Sequence, residues 1–114
     1  MKKIAFSGCR DATIHWWMAN LIRKETKDCE VFVGCCPTGV DLFVREFCEE
    51  MKVPYTVFVA DWGTYSSSAG PIRNKEMVKD ADELIAFWDG KSKGTKNAIE
   101  EATKAGVPVR IYPI

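Results

Sequence analysis

The sequence lacks the segments that mark secreted and membrane proteins. No charged stretch followed by an apolar run stands at its N-terminus, and no apolar run approaches the roughly 20 residues that a membrane span needs. It also has a single histidine, His15, so no second histidine supports a metal site there. We therefore expect a cytoplasmic protein without membrane association, and we predict neither a metal nor a cofactor.

An excess of charge of either sign is missing as well. Lysine and arginine total 16, and so do aspartate and glutamate, which leaves a net charge of zero. Because binding to nucleic acid needs cations that neutralise phosphates, this balance argues against nucleic acid as the main partner. A local basic patch remains open.

The cysteines do not form a disulfide or zinc pattern. There are five of them, an odd number, and the adjacent Cys35 and Cys36 lack the C-x-x-C spacing of zinc sites and redox pairs. We expect reduced, packing thiols. The alternative is a reactive thiol at Cys9 or Cys35, since both precede predicted helix N-termini that would lower a thiol pKa.

What the sequence does contain is an alternation of short apolar runs and amphipathic segments within 114 residues, the length of one domain. The predicted strands are residues 2–7, 30–34, 55–59, 83–88 and 107–112, and the predicted helices are residues 12–27, 38–51, 70–80 and 95–105. This alternation, with strands that are apolar throughout, is typical of parallel sheets. We predict one α/β domain over residues 1–114: a Rossmann-like doubly wound, mostly parallel five-stranded sheet with helices on both faces.

Polar residues suited to capping mark the ends of several predicted helices. Asp11 precedes the first helix, Thr38 and Asp41 have the spacing of a capping box, and Gly106 follows the last helix. Residues 60–68 are predicted to form a loop.

Four junctions between a strand and a helix carry small and charged residues. They are Ser7-Gly8-Cys9-Arg10, the stretch from Gly34 to Asp41, Gly70-Pro71-Ile72-Arg73-Asn74, and Asp89-Gly90 through Gly94-Thr95. If the strands are parallel, all four junctions meet at the carboxyl edge of the sheet, where doubly wound proteins bind ligands. Helix N-termini there offer free N–H groups to an anion.

The residue types at these junctions suit the parts of a nucleotide: cations suit phosphates, carboxylates suit ribose hydroxyls and indole faces suit a base. The cations are Arg10, Arg73, Lys91, Lys93 and Lys96, the carboxylates are Asp41, Asp61 and Asp89, and the indoles are Trp62 and Trp88. The predicted ligand-binding residues are Ser7, Gly8, Arg10, Gly34, Thr38, Gly39, Asp41, Asp61, Trp62, Gly70, Pro71, Arg73, Asn74, Asp89, Gly90, Gly94 and Thr95. The glycines would let backbone approach the ligand.

Each signal also has a structural interpretation. Asp41 is equally suited to cap its helix, Trp62 to plug the end of the sheet, and Lys91 and Lys93 to be solvated loop charges. Arg73 falls in the first turn of a predicted helix, where a cation opposes the helix dipole, and that cost favours a functional role.

The same motifs, in the same order, resemble the YspA-like branch of the SLOG superfamily, which is related to the Lonely-guy phosphoribohydrolases and the Smf/DprA DNA-processing proteins. The matching stretches are Ser7 to Arg10, Gly34 to Asp41, Ala60-Asp61-Trp62, Ala69 to Asn74, and Asp89-Gly90 with Gly94-Thr95. In the second stretch, Cys35 replaces a glycine and Val40 an alanine of the branch's G-G-x-x-G-A-D pattern. The resemblance covers nearly the whole chain.

The resemblance implies a Rossmann-like domain that binds a nucleotide or a nucleotide-derived ligand, such as a nucleoside phosphate or an ADP-ribose relative. Lonely-guy enzymes carry a catalytic glutamate in P-G-G-x-G-T-x-x-E, and here that position is Ala98. We therefore expect a binding module first. The alternatives are a nucleotide hydrolase that uses Asp41, Asp61 or Asp89, and a single-strand DNA-binding protein of the Smf/DprA type. A homodimer is a further expectation, from the family and from the tryptophans of the first helix.

Overall fold

The computed structural model describes residues 1–114 and has an α/β Rossmann-like fold. Its strands are β1 (Lys2–Gly8), β2 (Cys29–Gly34), β3 (Tyr55–Phe58), β4 (Glu83–Trp88) and β5 (Val109–Pro113). Its helices are α1 (Trp16–Glu25), α2 (Gly39–Met51), α3 (Trp62–Tyr65), α4 (Ala69–Lys79) and α5 (Lys93–Lys104), with a 3₁₀ turn at Ser66–Ser68. None of the helices combines the length and the apolar character that crossing a membrane requires.

All neighbouring strands run parallel, in the order β3-β2-β1-β4-β5. The prediction of a mostly parallel sheet is thus confirmed, with no antiparallel strand. Since the chain moves outward from β1 to one edge and then returns to build the other, the connections change direction between β1 and β4. A crevice at the carboxyl ends of the strands is expected at that position.

Two apolar layers hold the helices on opposite faces of the sheet. Side chains such as Phe6 and Val33 pack with α1 and α2 in one layer, and Phe32 and Leu84 pack with α4 and α5 in the other. Consecutive strand residues point to opposite faces, so strands that are apolar at every position serve both layers. The predicted covering of both faces is confirmed.

The first helix starts later than the sequence predicted. Its N-cap is His15 in extended conformation, not Asp11, and no side chain caps it. The preceding segment turns at the sheet edge, where the Ala12 N–H donates to the Cys9 carbonyl at 3.3 Å. The chain then passes through the β-branched Thr13 and Ile14, which lower the helix propensity of this segment, before the helix begins.

Three other local predictions were wrong. Residues 62–68, predicted as loop, form α3 and the 3₁₀ turn, because Asp61 caps this segment by accepting the Thr64 N–H at 3.1 Å. The last helix starts at Lys93 because Ser92 is its N-cap. Thr38 and Asp41 do not form a capping box, since Thr38 makes no side-chain cap hydrogen bond.

Gly106, predicted as the C-terminal cap of the last helix, has the positive φ of 73° that such a cap needs.

Candidate functional site

The loops that follow β1, β2 and β4 enclose a polar cavity of about 470 Å³ at the carboxyl edge of the sheet. We call it the polar cavity. Its lining residues are Ser7, Gly8, Cys9, Arg10, Asp11, Cys36, Asp41, Arg73, Asp89, Lys91, Ser92, Lys93, Gly94 and Thr95. The volume lies within the range of about 300–1,000 Å³ that is usual for small-molecule sites.

A second, smaller cavity of about 360 Å³ adjoins the polar cavity toward β3. We call it the tryptophan cavity, because Trp62 lines it together with Pro37, Ala60 and Cys35. Arg10, Cys36 and Arg73 line both cavities, so these three residues form the boundary between the two. The two cavities are neighbouring parts of one crevice.

The largest cavity, about 670 Å³, lies at the opposite edge of the sheet. It is lined by Met1, Arg23, Thr26, Lys27, Asp28, Cys29, Phe47, Met51, Lys52, Val53 and Pro54. The C-terminal ends of α1 and α2 lie there, and helix C-termini repel anions. Arg23, Lys27 and Lys52 also line that cavity, but no helix N-terminus opens onto it, so the carboxyl edge is the better candidate site.

Arg73 is fixed between the two cavities by neighbours on three elements. Its Nε donates to Asn74 Oδ1 at 2.8 Å, and its Nη1 lies 3.4 Å from the Phe58 carbonyl oxygen and 3.8 Å from Cys35 Sγ. Nη2 makes no hydrogen bond within the protein. The guanidinium is therefore held in place and still has donors free for a ligand.

The sequence argument for Arg73 was wrong in one respect. Because α4 begins at Ala69 and follows directly on the 3₁₀ turn, Arg73 lies in the second turn and not the first. The opposing effect of the helix dipole fades after the first turn, so it is no evidence of a functional role here. The position of Arg73 at the boundary of the two cavities is the better argument.

Asn74 holds α4 against α5 from a buried position. Only 3% of it is exposed, and its Nδ2 donates to Asn97 Oδ1 at 2.9 Å and to the Gly94 carbonyl at 3.3 Å. With its Oδ1 on Arg73, this one amide joins the guanidinium to the first turn of α5. Asn74 does not line the polar cavity, but it positions Arg73 and the first turn of α5, which do.

Asp41 is the buried carboxylate of the site, with 6% of its surface exposed. Its Oδ2 accepts the Cys36 N–H at 3.3 Å, which secures the loop after β2. Burial raises the pKa of Asp41 above its ordinary value, and the Arg73 charge and the Cys36 amide only partly offset that effect. Asp41 thus holds a loop rather than capping a helix end.

Asp89 shapes the loop between β4 and α5. Its Oδ1 accepts the backbone N–H groups of Lys91 and Ser92, each at 2.8 Å. These two hydrogen bonds, Ser92 first, lower the pKa of Asp89, so the carboxylate stays ionised. Ser92 in turn caps α5, where its Oγ lies 3.4 Å from the Thr95 amide nitrogen.

Three predicted glycines give space to protein atoms, and at Gly8 an added Cβ would overlap the Val40 side chain. A Cβ at Gly34 would lie 2.6 Å from Asp41 Oδ2 and 2.9 Å from Arg73 Cζ. At Gly39, φ is +70° and a Cβ would lie 2.6 Å from the Arg10 carbonyl oxygen. The glycine signal at these positions therefore reflects close packing of the loops.

Eight of the predicted site residues line the polar cavity: Ser7, Gly8, Arg10, Asp41, Arg73, Asp89, Gly94 and Thr95. Trp62 joins Arg10 and Arg73 in the tryptophan cavity. Its 56% exposure shows that it does not plug the sheet. The others line neither cavity: Gly34, Thr38, Gly39, Asp61, Gly70, Pro71, Asn74 and Gly90.

Of those outside the cavities, Thr38 still acts at the rim, because its Oγ1 donates to the Arg10 carbonyl at 2.9 Å and joins two loops. Among the predicted cations, Lys91 and Lys93 line the polar cavity and Lys96 does not. Trp88 lines neither cavity, and its Nε1 donates to the Ser92 carbonyl at 3.1 Å.

The sequence interpretation missed several lining and supporting residues. Ser92 could have been found from its N-cap position before α5. Arg45 had no signal in the sequence, and its Nη1 donates to the Gly34 carbonyl at 2.9 Å. Cys9 lies at the cavity wall and burial raises its pKa, which favours the expected packing role over the alternative of an activated thiol there.

Comparison with known proteins gives one partial likeness. The chain is similar to the Gene 61 protein of Mycobacterium phage D29, with 49% identity over 51 residues, which are 44% of this chain and 41% of that protein. The matched part is thus less than half of either protein. No family model and no solved structure matches the chain, so the SLOG resemblance stays a prediction.

Proposed function

We propose that this protein binds a nucleotide or a nucleotide-derived ligand, such as a nucleoside phosphate or an ADP-ribose relative, in the two cavities at the carboxyl edge of its sheet. The observation that supports this most is the pairing of the cavities across Arg10, Cys36 and Arg73. One side is polar and carries four cations and three carboxylates, and the other offers an indole face.

The phosphate end of the proposed site is the loop before α5. Arg10, Lys91 and Lys93 supply positive charge there, and the first backbone N–H groups of α5 have no partner within the helix. Together these groups suit the charge and the acceptor oxygens of a phosphate.

The base end of the proposed site is the tryptophan cavity. Trp62 is 56% exposed, and this fraction leaves part of the ring free for stacking. Stacking of a base on an aromatic ring contributes about 1–3 kcal/mol.

The proposal stops at binding, because the chain lacks the catalytic glutamate of Lonely-guy enzymes. Of the carboxylates that the hydrolase alternative uses, Asp41 and Asp89 line the polar cavity and Asp61 does not. Ala98, at the position of the Lonely-guy glutamate, is fully buried in the core between α5 and the sheet. Glu101 pairs instead with Lys104 at 3.6 Å, away from the cavity. A homodimer through the first helix stays a prediction, and Trp16, which is 77% exposed, is its candidate contact.

Isothermal titration calorimetry against nucleoside mono-, di- and triphosphates, ADP-ribose and inorganic phosphate tests the proposal. The Arg10 side chain makes no hydrogen bond within the protein, so Arg10→Ala leaves the fold intact. We expect it to weaken nucleotide binding about tenfold, the effect of losing one charged hydrogen bond. Arg23→Ala, at the opposite edge, is the matched control and should leave the affinity unchanged. Absence of binding by every ligand at millimolar concentration would refute the proposal.

A further inference from the structure

Asp41 has one carboxylate oxygen that no protein group uses. Oδ2 accepts the Cys36 N–H, whereas Oδ1 makes no hydrogen bond within the protein. No side-chain nitrogen or oxygen that is sealed from the surface lacks a hydrogen-bond partner, so Oδ1 is open rather than sealed. Because Asp41 is 94% buried and lines the polar cavity, that opening faces the cavity.

The order of the strands places Asp41 between the two ends of the proposed site. Along the carboxyl edge, Trp62 follows β3, Asp41 follows β2, Arg10 follows β1, and Lys93 follows β4. Neighbouring strands lie about 4.8 Å apart, so the edge from β3 to β4 spans about 14 Å. A nucleotide laid along it would present base, sugar and phosphate in the same order.

Charge favours a neutral donor opposite Asp41. A carboxylate repels a phosphate and attracts a hydroxyl or amine hydrogen. Lys91 and Lys93, which follow β4, lie beyond Arg10 along this edge, so a phosphate held there leaves the sugar of the nucleotide nearest to Asp41 and the neighbouring Arg73. Burial of most of the residue strengthens a hydrogen bond formed there, because the protein interior screens the interaction less than bulk water does.

We infer that Asp41 recognises the sugar of the ligand in this site, and that its free oxygen accepts a hydrogen bond from a ribose hydroxyl. This inference rests on the proposed function. It narrows the ligand to ribonucleoside phosphates and their ribose-bearing derivatives, against 2′- or 3′-deoxynucleotides. A site with a buried acceptor discriminates strongly against a ligand that lacks the matching hydroxyl, since the acceptor is then left unpaired.

Calorimetric titration of the full chain with the ribo, 2′-deoxy and 3′-deoxy forms of each nucleoside 5′-monophosphate tests the inference. We expect at least one deoxy form to bind about tenfold to a hundredfold more weakly than the ribo form. Asp41→Asn retains an oxygen acceptor for the Cys36 N–H and puts an amide NH₂, which cannot accept a hydrogen bond, in place of the free oxygen, so it should lower the ribo-to-deoxy ratio. Asp61→Asn is the matched control, because Asp61 lines neither cavity and asparagine keeps the cap on α3.

The outcomes separate the inference from the proposal beneath it. Equal binding of ribo and deoxy forms by the native protein overturns the role of Asp41 and leaves nucleotide binding intact. A ribo-to-deoxy ratio that is unchanged in Asp41→Asn also overturns it. Failure of every nucleotide to bind refutes the proposed function, and the inference falls with it. Because removal of the buried charge should stabilise the fold, Asp41→Asn is expected to fold, and the variant decides whether a ribose preference of the native protein depends on Asp41.

Discussion

At the scale of the residue, the buried position of the Asp41 carboxylate lowers the stability of the folded protein. Its carboxylate is 94% buried, and burial raises its pKa even though Arg73 and the Cys36 amide favour the charged form. The ionised form is therefore less favourable in the folded chain than in the unfolded chain. Such a cost is typical of residues that are retained for function.

We expect Asp41→Asn to stabilise the protein at neutral pH. Below the ordinary Asp pKa of 3.8, the carboxyl is protonated in both folded and unfolded chains, and the variant gains nothing. As the pH rises through the higher pKa of the folded state, the native protein loses stability and the variant does not. Urea denaturation of both proteins between pH 3.5 and 8 should give a difference in unfolding free energy that grows with pH. A difference that stays constant or shrinks would contradict the account.

The same scale shows what the sequence could and could not predict of the site. Arg10 and Asp89 were predictable because each stands just after a strand whose end the apolar pattern defines, and Thr95 because it lies at the start of the helix that follows β4. Arg45 was not, since its contact with the Gly34 carbonyl depends on how α2 lies against the strand end. The roles of Gly34 and Asn74 could not be predicted from the sequence either, because both residues contact neighbouring protein atoms.

At the scale of the element, the helix N-termini at the sheet edge depend on tight backbone contacts. The start of α2 packs on the loop after β1, where Gly39 faces the Arg10 carbonyl and Thr38 donates to it. The start of α5 has open space instead, with nothing near a Cβ built on Gly94. The same substitution should therefore have opposite effects at the two helices.

We expect Gly39→Ala to destabilise the protein by about 2 kcal/mol or more, because the left-handed backbone and the contact with Arg10 both oppose a Cβ. Gly94→Ala is the matched control and should stabilise it by about 0.5–1 kcal/mol, since alanine is the better helix former. Chemical denaturation measures both. Equal effects of the two substitutions would show that the backbone strain at Gly39 is absent.

An ionic cluster at the opposite edge joins α1 to β4 and β5. The Arg110 guanidinium contacts Glu25 Oε2 at 2.8 Å and Glu83 Oε2 at 2.6 Å. Hydrogen bonding to Arg110 lowers the pKa of Glu25; burial raises the pKa of Glu83, but Arg110 and Lys2 outweigh it and the net shift is downward. Carboxylates with lowered pKa values stabilise the fold above their ordinary pKa.

We expect Arg110→Met to cost about 1–3 kcal/mol of stability at neutral pH, because two half-buried carboxylates lose their shared partner. The loss should diminish as the pH falls through the lowered pKa values of Glu25 and Glu83, where protonation removes the repulsion. Lys79→Met breaks an exposed pair with Glu76 and should change stability by less than about 0.5 kcal/mol. An Arg110→Met effect that does not depend on pH would contradict this account.

The elements themselves were largely predictable. Buried runs such as that of β4 needed only their apolar pattern, and Glu83–Trp88 is the span that the sequence predicted. The start of α1 and the presence of α3 were missed, because they depend on how the chain crosses the sheet edge and on a cap before residues of weak helix propensity. Local caps override the periodic pattern at such ends.

At the scale of the whole molecule, the strand order β3-β2-β1-β4-β5 brings together residues that are far apart in the sequence. Arg10, Arg73 and Thr95 line one cavity because parallel connections return every strand end to the same edge. This convergence followed from the predicted fold alone. The division of the crevice into a polar part and an indole-lined part did not, since it depends on the course of the chain from Ala60 to Ala69.

The most direct test of the account is a titration of the ¹⁵N-labelled protein with a ribonucleoside 5′-diphosphate, followed by ¹H–¹⁵N correlation spectra. We predict that the backbone signals of Gly94 and Thr95 and the indole signal of Trp62 shift together and saturate with one dissociation constant, while the signals of Arg23 and Met51 stay in place. Shifts confined to the opposite edge of the sheet, or no shifts at millimolar ligand, would contradict the claim that a nucleotide binds across these two cavities.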